Sequence, residues 1–208
     1  MAAWLRQNWL GFLTHTAGLT PLALMVVYYL TDALVNPVRY TILRSGTLGL
    51  IFLTASLACT PLRKLLGWPK IIQSRRALGL YGFFYTALHF WGYLSWENDF
   101  FFDLIWRDLG ERPAMPIGIA AFALLTPLAL TSTRGWQRRL GKRWVSLHRL
   151  IYLALPLSVW HYLWLDRDFM TWPIIYAVIV AILLIARLPF IPLSRKKREA
   201  PDSRTPLL

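Results

Sequence analysis

The chain has 208 residues and a formal net charge of +13, with 56% hydrophobic and only 16% charged residues. A soluble domain usually carries roughly 25% charged residues, so the composition argues against an ordinary soluble protein. The basic residues cluster in short loops between apolar segments rather than along one polar face, and this arrangement argues against nucleic acid as a partner.

Apolar runs of about 20 residues, the length of a helix that crosses a bilayer core, recur along the whole chain. We predict spans at 9–30, 45–63, 77–96, 115–133, 144–165 and 170–191. The predicted fold is an all-α integral membrane protein, with a six-helix transmembrane bundle in domain 1–193 and a basic cytoplasmic tail at 194–208. No internal repeat is apparent, so an inverted-repeat transporter is not favoured.

The distribution of charge predicts an orientation. Loops 63–76 and 134–143 and the tail are rich in lysine and arginine, so they and both termini should face the cytoplasm. Eight of the ten acidic residues fall in the opposite loops: Asp32, Glu97, Asp99, Asp103, Asp108, Glu111, Asp166 and Asp168. These acids either form a docking surface for a partner or only solvate their loops.

Three histidines lie inside apolar segments, where an ionisable group is costly and indicates a functional site. His89 in the third span and His161 in the fifth both fall in the outer half of the predicted membrane. Their matched depth on different helices predicts that they bind one haem iron from its two sides. The alternative for each is a hydrogen-bonded packing role.

His148 lies thirteen residues before His161, or roughly 20 Å along a helix, and marks a second, inner level. Thirteen residues miss the same helix face by about 140°. We expect a kink at Pro156 to change the relative facing of the two histidines, because proline interrupts the helical hydrogen bonds. The spacing is compatible with two stacked haems.

The inner level needs further ligands, and the sequence offers few. His15, in the first span, has a depth similar to that of His148 and is the candidate partner. Arg75 and Arg76 could hold haem propionates or the head group of a flavin or quinone, since guanidinium suits anions. The alternative role of the two arginines is anchoring at the membrane surface.

Other residues limit the type of cofactor. The single cysteine, Cys59, lies in an apolar span, and no Cys-x-x-Cys-His motif occurs, so any haem is non-covalent and most simply b-type. Near the face of His89, Gly82 and Thr86 would allow close approach of either a flat ligand or a neighbouring helix.

Several stretches resemble the MsrQ family of membrane proteins. They are RRALGL at 75–80 with His89 following, Thr131-Ser-Thr, RRLGKRWVSLHRLIY at 138–152, HYLW at 161–164, Asn36-Pro37 and Thr60-Pro-Leu-Arg63. The resemblance covers nearly the whole chain up to about residue 194, and the part at 138–164 is the most specific.

The resemblance implies a ferric-reductase-like transmembrane domain that serves as the haem-binding subunit of a periplasmic methionine-sulfoxide reductase system. Such a subunit takes electrons from the quinone pool or a cytosolic flavin reductase. It passes them through haem b, with FMN as a further cofactor, to a periplasmic molybdenum-containing catalytic subunit. The two form a heterodimer in the bacterial inner membrane, and the membrane subunit itself converts no substrate. FMN follows from the resemblance alone, because no Gly-x-Gly-x-x-Gly sequence is present.

Two other functions are compatible with the residues. A self-sufficient haem metalloreductase would deliver electrons to external ferric or cupric ions without a protein partner. A haem-free multi-pass transporter or assembly factor would use its histidines for proton transfer or packing. Segment 96–110, which mixes aromatic and acidic residues, either docks the electron acceptor or forms an amphipathic helix on the membrane surface.

Overall fold

In the computed structural model, residues 2–165 and 170–187 are described, and within these ranges every regular element is helical. The α-helices are α1 (Ala2–Leu30), α2 (Pro37–Leu66), α3 (Ser74–Gly92), α4 (Phe102–Glu111), α5 (Ala114–Leu130), α6 (Arg134–Leu140), α7 (Lys142–His148), α8 (Ile151–Leu165) and α9 (Thr171–Ile185). A 3-10 helix at Pro69–Gln73 precedes α3, and a π-helix at Tyr93–Glu97 follows it. The all-α prediction is confirmed for these residues. The tail at 194–208, Asp166 and Asp168 lie outside them.

Two helices are long and apolar enough to cross a membrane, namely α1 from Trp9 to Leu30 and α2. A third candidate exists if α4 and α5, which meet at a bend of 110°, are counted as one broken span. Helix α9 is apolar but has only 15 residues. The described part of the chain therefore contains at least two candidate membrane spans.

Helix α2 begins at Pro37, earlier than the predicted start at residue 45. The side chain of Asn36 accepts a hydrogen bond of 2.9 Å from the backbone N–H of Arg39, and proline suits the first helical position. Arg44 lies inside this helix, before the predicted start of the span. Its guanidinium lies 5.5 Å from the ring centre of Tyr40, so the charged residue packs on the helix surface without ending the helix.

The fifth predicted span is divided into α7 and α8, and the break lies at residues 149 and 150. There the backbone N–H groups of Arg149 and Leu150 bond three residues back, to Ser146 and Leu147. Pro156, where we expect a kink, lies inside α8, six residues after this break. A proline ring crowds the carbonyl four residues before it, so the distorted turn precedes the proline.

The long helices alternate in direction. The start of α2 meets the end of α3 where Ile42 contacts His89, and the start of α5 meets α8 where Ala114 contacts His161. These two histidines also contact each other, so all four helix ends lie at one end of the molecule, which we call the histidine end.

The opposite end is marked by Arg75, near the start of α3, and by Arg187, after α9; we call it the arginine end. Arg187 donates to the carbonyl of Leu57 in α2 and, at 2.8 Å, to the hydroxyl of Tyr152 in α8. The carbonyl of Arg75 accepts a bond of 2.8 Å from Ser56 in α2. These bonds join the end of α2, the starts of α3 and α8, and the end of α9.

Small residues let α2 and α3 pack closely. A Cβ atom added to Gly82 would lie 2.7 Å from Cγ of Leu53, and one added to Gly49 would lie 2.5 Å from Oγ1 of Thr86. Thr86 satisfies its own hydroxyl by donating to the carbonyl of Gly82. Gly82 and Thr86 therefore serve helix packing, the second of the two roles expected for them.

Candidate haem site

His89 is held by a hydrogen bond from a neighbouring helix. Its Nδ1 lies 2.8 Å from the carbonyl oxygen of Ile42, in the first turns of α2. A carbonyl can only accept, so Nδ1 carries the proton and donates it. The lone pair of the neutral ring is then on Nε2, which is the atom a metal would bind.

His161 repeats this arrangement on the other pair of helices. Its Nδ1 donates to the carbonyl of Ala114, at the start of α5, over 2.7 Å. The centres of the His89 and His161 rings are 6.2 Å apart. The structure thus brings together the two histidines that the sequence predicts as a pair.

Each imidazole lies against a glycine. A Cβ atom on Gly46 would be 3.0 Å from Nδ1 of His89, and one on Gly118 would be 2.7 Å from Nδ1 of His161. Gly46 and Gly118 each follow the accepting residue, Ile42 or Ala114, by four positions. In a helix, the Cβ of that residue leans toward the accepting carbonyl. Glycine leaves this carbonyl accessible to a side chain from another helix.

These residues fit a haem iron. When two imidazoles bind the same metal ion from its two sides, each through a bond of about 2 Å, their ring centres are roughly 6 Å apart. Hydrogen bonds from Nδ1 to a carbonyl are the usual support of metal-binding histidines. No group of three or more His, Cys, Asp or Glu side chains suited to a metal occurs among the described residues, so a two-histidine haem suits this site better than a metal held by protein alone.

The two halves of the site are copies within one chain. Each His and its accepting carbonyl are 47 residues apart in both halves. Equivalent residues differ by 72 positions throughout: Ile42 and Ala114, Gly46 and Gly118, Leu53 and Leu125, Thr54 and Thr126, Thr86 and Ser158, His89 and His161. The expectation of no internal repeat was wrong. Because α2 and α5 begin at the same end, the repeat is parallel rather than inverted.

The repeat fails at the arginine end. His148 has its Nδ1 3.1 Å from the carbonyl of Trp144, and its ring stacks on that indole with centres 3.9 Å apart. Trp144 in turn donates to the carbonyl of Thr131 over 2.9 Å. The residue 72 positions before His148 is Arg76, not histidine. At this level, therefore, only the second helix pair supplies a histidine.

His15 and His148 are not brought together. His15 lies on α1, and its Nδ1 is 3.0 Å from the hydroxyl of Tyr81 on α3. No hydrogen bond or ring contact joins the two histidines in the described part of the chain. Arg76 is exposed and lines the same cavity as His15, whereas Arg75 is half-buried.

The sequence reading missed Arg187. It lies near the end of the predicted span 170–191, where an arginine is easily taken for a membrane-surface anchor, and it follows α9 in the structure. The structure instead places it against Leu57 and Tyr152, with a buried Nε that has no hydrogen-bond partner. Together with Arg75, it gives the arginine end two cations on the side of His148.

A polar network closes the histidine end. Tyr93 donates to the buried carboxylate of Asp108 over 3.2 Å. Arg112 lies 3.5 Å from Asp108 and 3.6 Å from Glu97. Glu97 and Asp108 are thus partly neutralised, whereas Asp103 is exposed without an ion pair among the described residues.

Helix α4 has the form of a surface helix. Phe102 and Trp106, one turn apart, are 82% and 79% exposed, and the helix meets α5 at 110°. A helix with an exposed aromatic face, lying at a steep angle to its neighbour, is typical of an element at a membrane surface. This form agrees with the second interpretation of segment 96–110, an amphipathic helix on the membrane surface.

Comparisons with known proteins identify the family. Residues 42–159 match the family described as ferric reductase like transmembrane component. The chain is 45% identical over 164 residues to the protein-methionine-sulfoxide reductase heme-binding subunit MsrQ of Rhodospirillum rubrum, covering 78% of each chain. It is 45% identical over 186 residues to MsrQ of Deinococcus radiodurans, covering 86% of this chain and 90% of that one. It is also 42% identical over 189 residues to MsrQ of Herminiimonas arsenicoxydans, covering 88% of this chain and 86% of that one. The chain therefore belongs to the MsrQ family of ferric-reductase-like membrane proteins.

Proposed function

We propose that this protein is an electron-transfer subunit of the bacterial inner membrane. It carries electrons from quinol or a cytosolic flavin reductase, through haem b, to a periplasmic molybdenum-dependent methionine-sulfoxide reductase subunit, with which it forms a heterodimer. The observation that carries the proposal is the His89–His161 pair, with ring centres 6.2 Å apart and both Nδ1 atoms bonded to backbone carbonyls.

The proposed topology has six spans formed by α1, α2, α3, α5, the α7–α8 pair and α9, with both termini in the cytoplasm. Three observations support it: the alternation of helix direction, the basic loops at the arginine end and the acidic loops at the histidine end. The arginine end then faces the cytoplasm and the histidine end the periplasm. Residues 1–193 form the haem domain and 194–208 the basic tail.

In this function the haem supplies a one-electron carrier that the chain itself lacks. His89 and His161 hold the outer haem, and their carbonyl partners increase the electron donation of each imidazole, which favours the ferric state. His148 holds an inner haem, whose propionates Arg75 and Arg187 are suited to bind. FMN, which the family resemblance implies, has Arg75 and Arg76 as its candidate residues.

Removal of either outer ligand tests the assignment directly. We expect His89→Ala and His161→Ala each to remove the outer haem and stop electron delivery to the periplasmic subunit, while membrane insertion survives because alanine suits a helix. The measurement is the visible spectrum of the purified, reduced protein. Normal haem content in both variants would reject the pair as ligands, and a wild-type protein without a Soret band would favour a transporter or assembly factor. Rapid ferric citrate reduction without a partner would favour a metalloreductase.

The glycines offer a graded test that leaves the ligands in place. In Gly118→Ala the new methyl would lie 2.7 Å from Nδ1 of His161, and in Gly46→Ala 3.0 Å from Nδ1 of His89. Loss of such a supporting bond costs roughly 10- to 100-fold in metal affinity. We expect both variants to lose haem more readily and to show a raised haem potential, Gly118→Ala more than Gly46→Ala. Gly11→Ala, with nothing within 4 Å of its Cβ, is the control.

The inner level depends on His148. We expect His148→Ala to remove or shift a second spectral component in a redox titration, while the component that depends on His89 stays. His15→Ala should leave both components unchanged, because His15 bonds to Tyr81 and not to His148 or its neighbours. A lost component in His15→Ala would restore His15 as a haem ligand.

The acidic loop is expected to steer the acceptor. We expect the triple variant Glu97→Gln, Asp99→Asn, Asp103→Asn to slow outward electron transfer by roughly tenfold at low salt and to flatten its salt dependence, with haem content intact. The measurement is stopped-flow oxidation of reduced haem by the periplasmic subunit across ionic strengths. Asp32→Asn, which removes one charge from another loop at the same end, is the control. Equal rates and slopes for the triple variant and wild type would leave the loop as a membrane-surface element.

A further inference from the structure

A groove lies between α1 and α3, outside the histidine pair. Its volume is about 610 Å³, and it is open on one side. Its walls are mostly apolar and include Leu19, Leu22, Leu80 and Phe84. Helix α1 is largely exposed from Trp9 to Leu30, so in the proposed membrane topology the open side faces the acyl chains.

The groove contains one hydrogen-bonded polar pair, His15 and Tyr81. His15 Nδ1 is 3.0 Å from the Tyr81 hydroxyl, and the rings meet edge to face with centres 5.8 Å apart. A Cβ atom on Gly18 would be 2.5 Å from the Tyr81 ring, so glycine is needed for the ring to lie against α1. Tyr85 donates to the carbonyl of Gly18 over 2.6 Å and holds α1 to α3 beside the pair.

Two further polar residues, Gln73 and Arg76, line the groove, and both are exposed. They precede Tyr81 by one to two helical turns toward the arginine end. The groove thus presents hydrogen-bonding groups and a cation along one wall and apolar side chains elsewhere. A ligand that matches it has a polar ring and a hydrocarbon tail.

We propose that this groove binds a quinol from the bilayer, with His15 and Tyr81 at the ring hydroxyls and the tail along the apolar wall. The proposal rests on the proposed electron-transfer function and adds the place where electrons enter. A phospholipid would need a cation for its phosphate, which Arg76 supplies, but it has no use for the hydrogen-bonded His15–Tyr81 pair.

His15 is suited to accept a proton. When its Nδ1–H donates to the Tyr81 oxygen, the Nε2 lone pair is free for a quinol hydroxyl. Oxidation of one quinol to quinone releases two electrons and two protons. A haem held by His89 and His161 would accept these electrons one at a time. One proton goes to His15, and the other goes to water at the polar mouth beside Gln73 and Arg76.

The groove shares α3 with the outer histidine pair. Tyr81 precedes His89 by eight residues, or about 12 Å along the helix. Aromatic rings fill the space beside this segment, since Phe52 lies between Tyr81 and Tyr85 with ring centres 5.7 and 5.6 Å away. The groove is therefore close to the proposed haem site, but it does not include His89 or His161.

The test uses the full chain with its haem in nanodiscs, with decylubiquinol as donor. We expect His15→Leu to slow haem reduction at least tenfold, and Tyr81→Phe and the groove-filling Leu80→Trp to slow it severalfold. Reduction by dithionite and the haem spectrum should stay as in wild type. Tyr29→Phe and Leu24→Trp, on exposed positions of α1 outside the groove, are matched controls and should react normally.

A second readout does not depend on electron transfer. An azidoquinone should photolabel peptides of α1 and α3, excess decylubiquinone should suppress the labelling, and Leu80→Trp should reduce it. Labelling that phospholipid displaces but decylubiquinone does not would assign the groove to lipid and overturn the proposal. Unchanged quinol rates in all three groove variants would also overturn it. A wild-type haem that a flavin reductase reduces but quinol does not would overturn the quinol site alone, whereas loss of haem itself would reject the proposed function.

Discussion

The structure depends on one kind of hydrogen bond, from a histidine Nδ1 to a helical carbonyl that already accepts within its own helix. A carbonyl oxygen can accept more than one hydrogen bond, as that of Ile42 does from Ser45 and from His89, but the side chain four residues later leans over it. Glycine at positions 46 and 118 removes that obstacle, and the imidazoles reach the carbonyls of Ile42 and Ala114. The bond fixes the ring tautomer and draws two helices together at the same point.

The same bond occurs twice because α2–α3 and α5–α8 have equivalent contacts near the histidines, and the two helix pairs differ at the arginine end. Thr86 and Ser158 make equivalent bonds to the carbonyls of Gly82 and Ala154. At the arginine end, in contrast, Arg76 occupies the position that His148 has in the second copy. The histidine end is symmetric and suits a carrier bound from both sides, whereas the arginine end is asymmetric and more strongly cationic.

Sequence reasoning found the histidine pair because depth in a membrane follows from counting residues from basic loops, as it did for His89 and His161. It missed features that depend on local hydrogen bonds, which residue counting does not reveal. The break before Ile151 depends on local hydrogen bonds, and the start of α2 depends on a cap at Asn36. The repeat stayed hidden because it retains backbone contacts and small residues rather than long identical stretches. Matching a glycine to a histidine 43 positions later in both halves would have revealed it.

The polar network at the histidine end links α4 to the chain segments next to the two imidazoles. Tyr93 lies one turn beyond His89 on the same face, and its hydroxyl bonds to Asp108. Arg112, which contacts Asp108, comes two residues before Ala114, the acceptor for His161. All three ion pairs of the described residues lie within 97–112. A shift of α4 would therefore move Asp108 relative to Tyr93 and Arg112, and so would act on the chain segments next to both histidine sites.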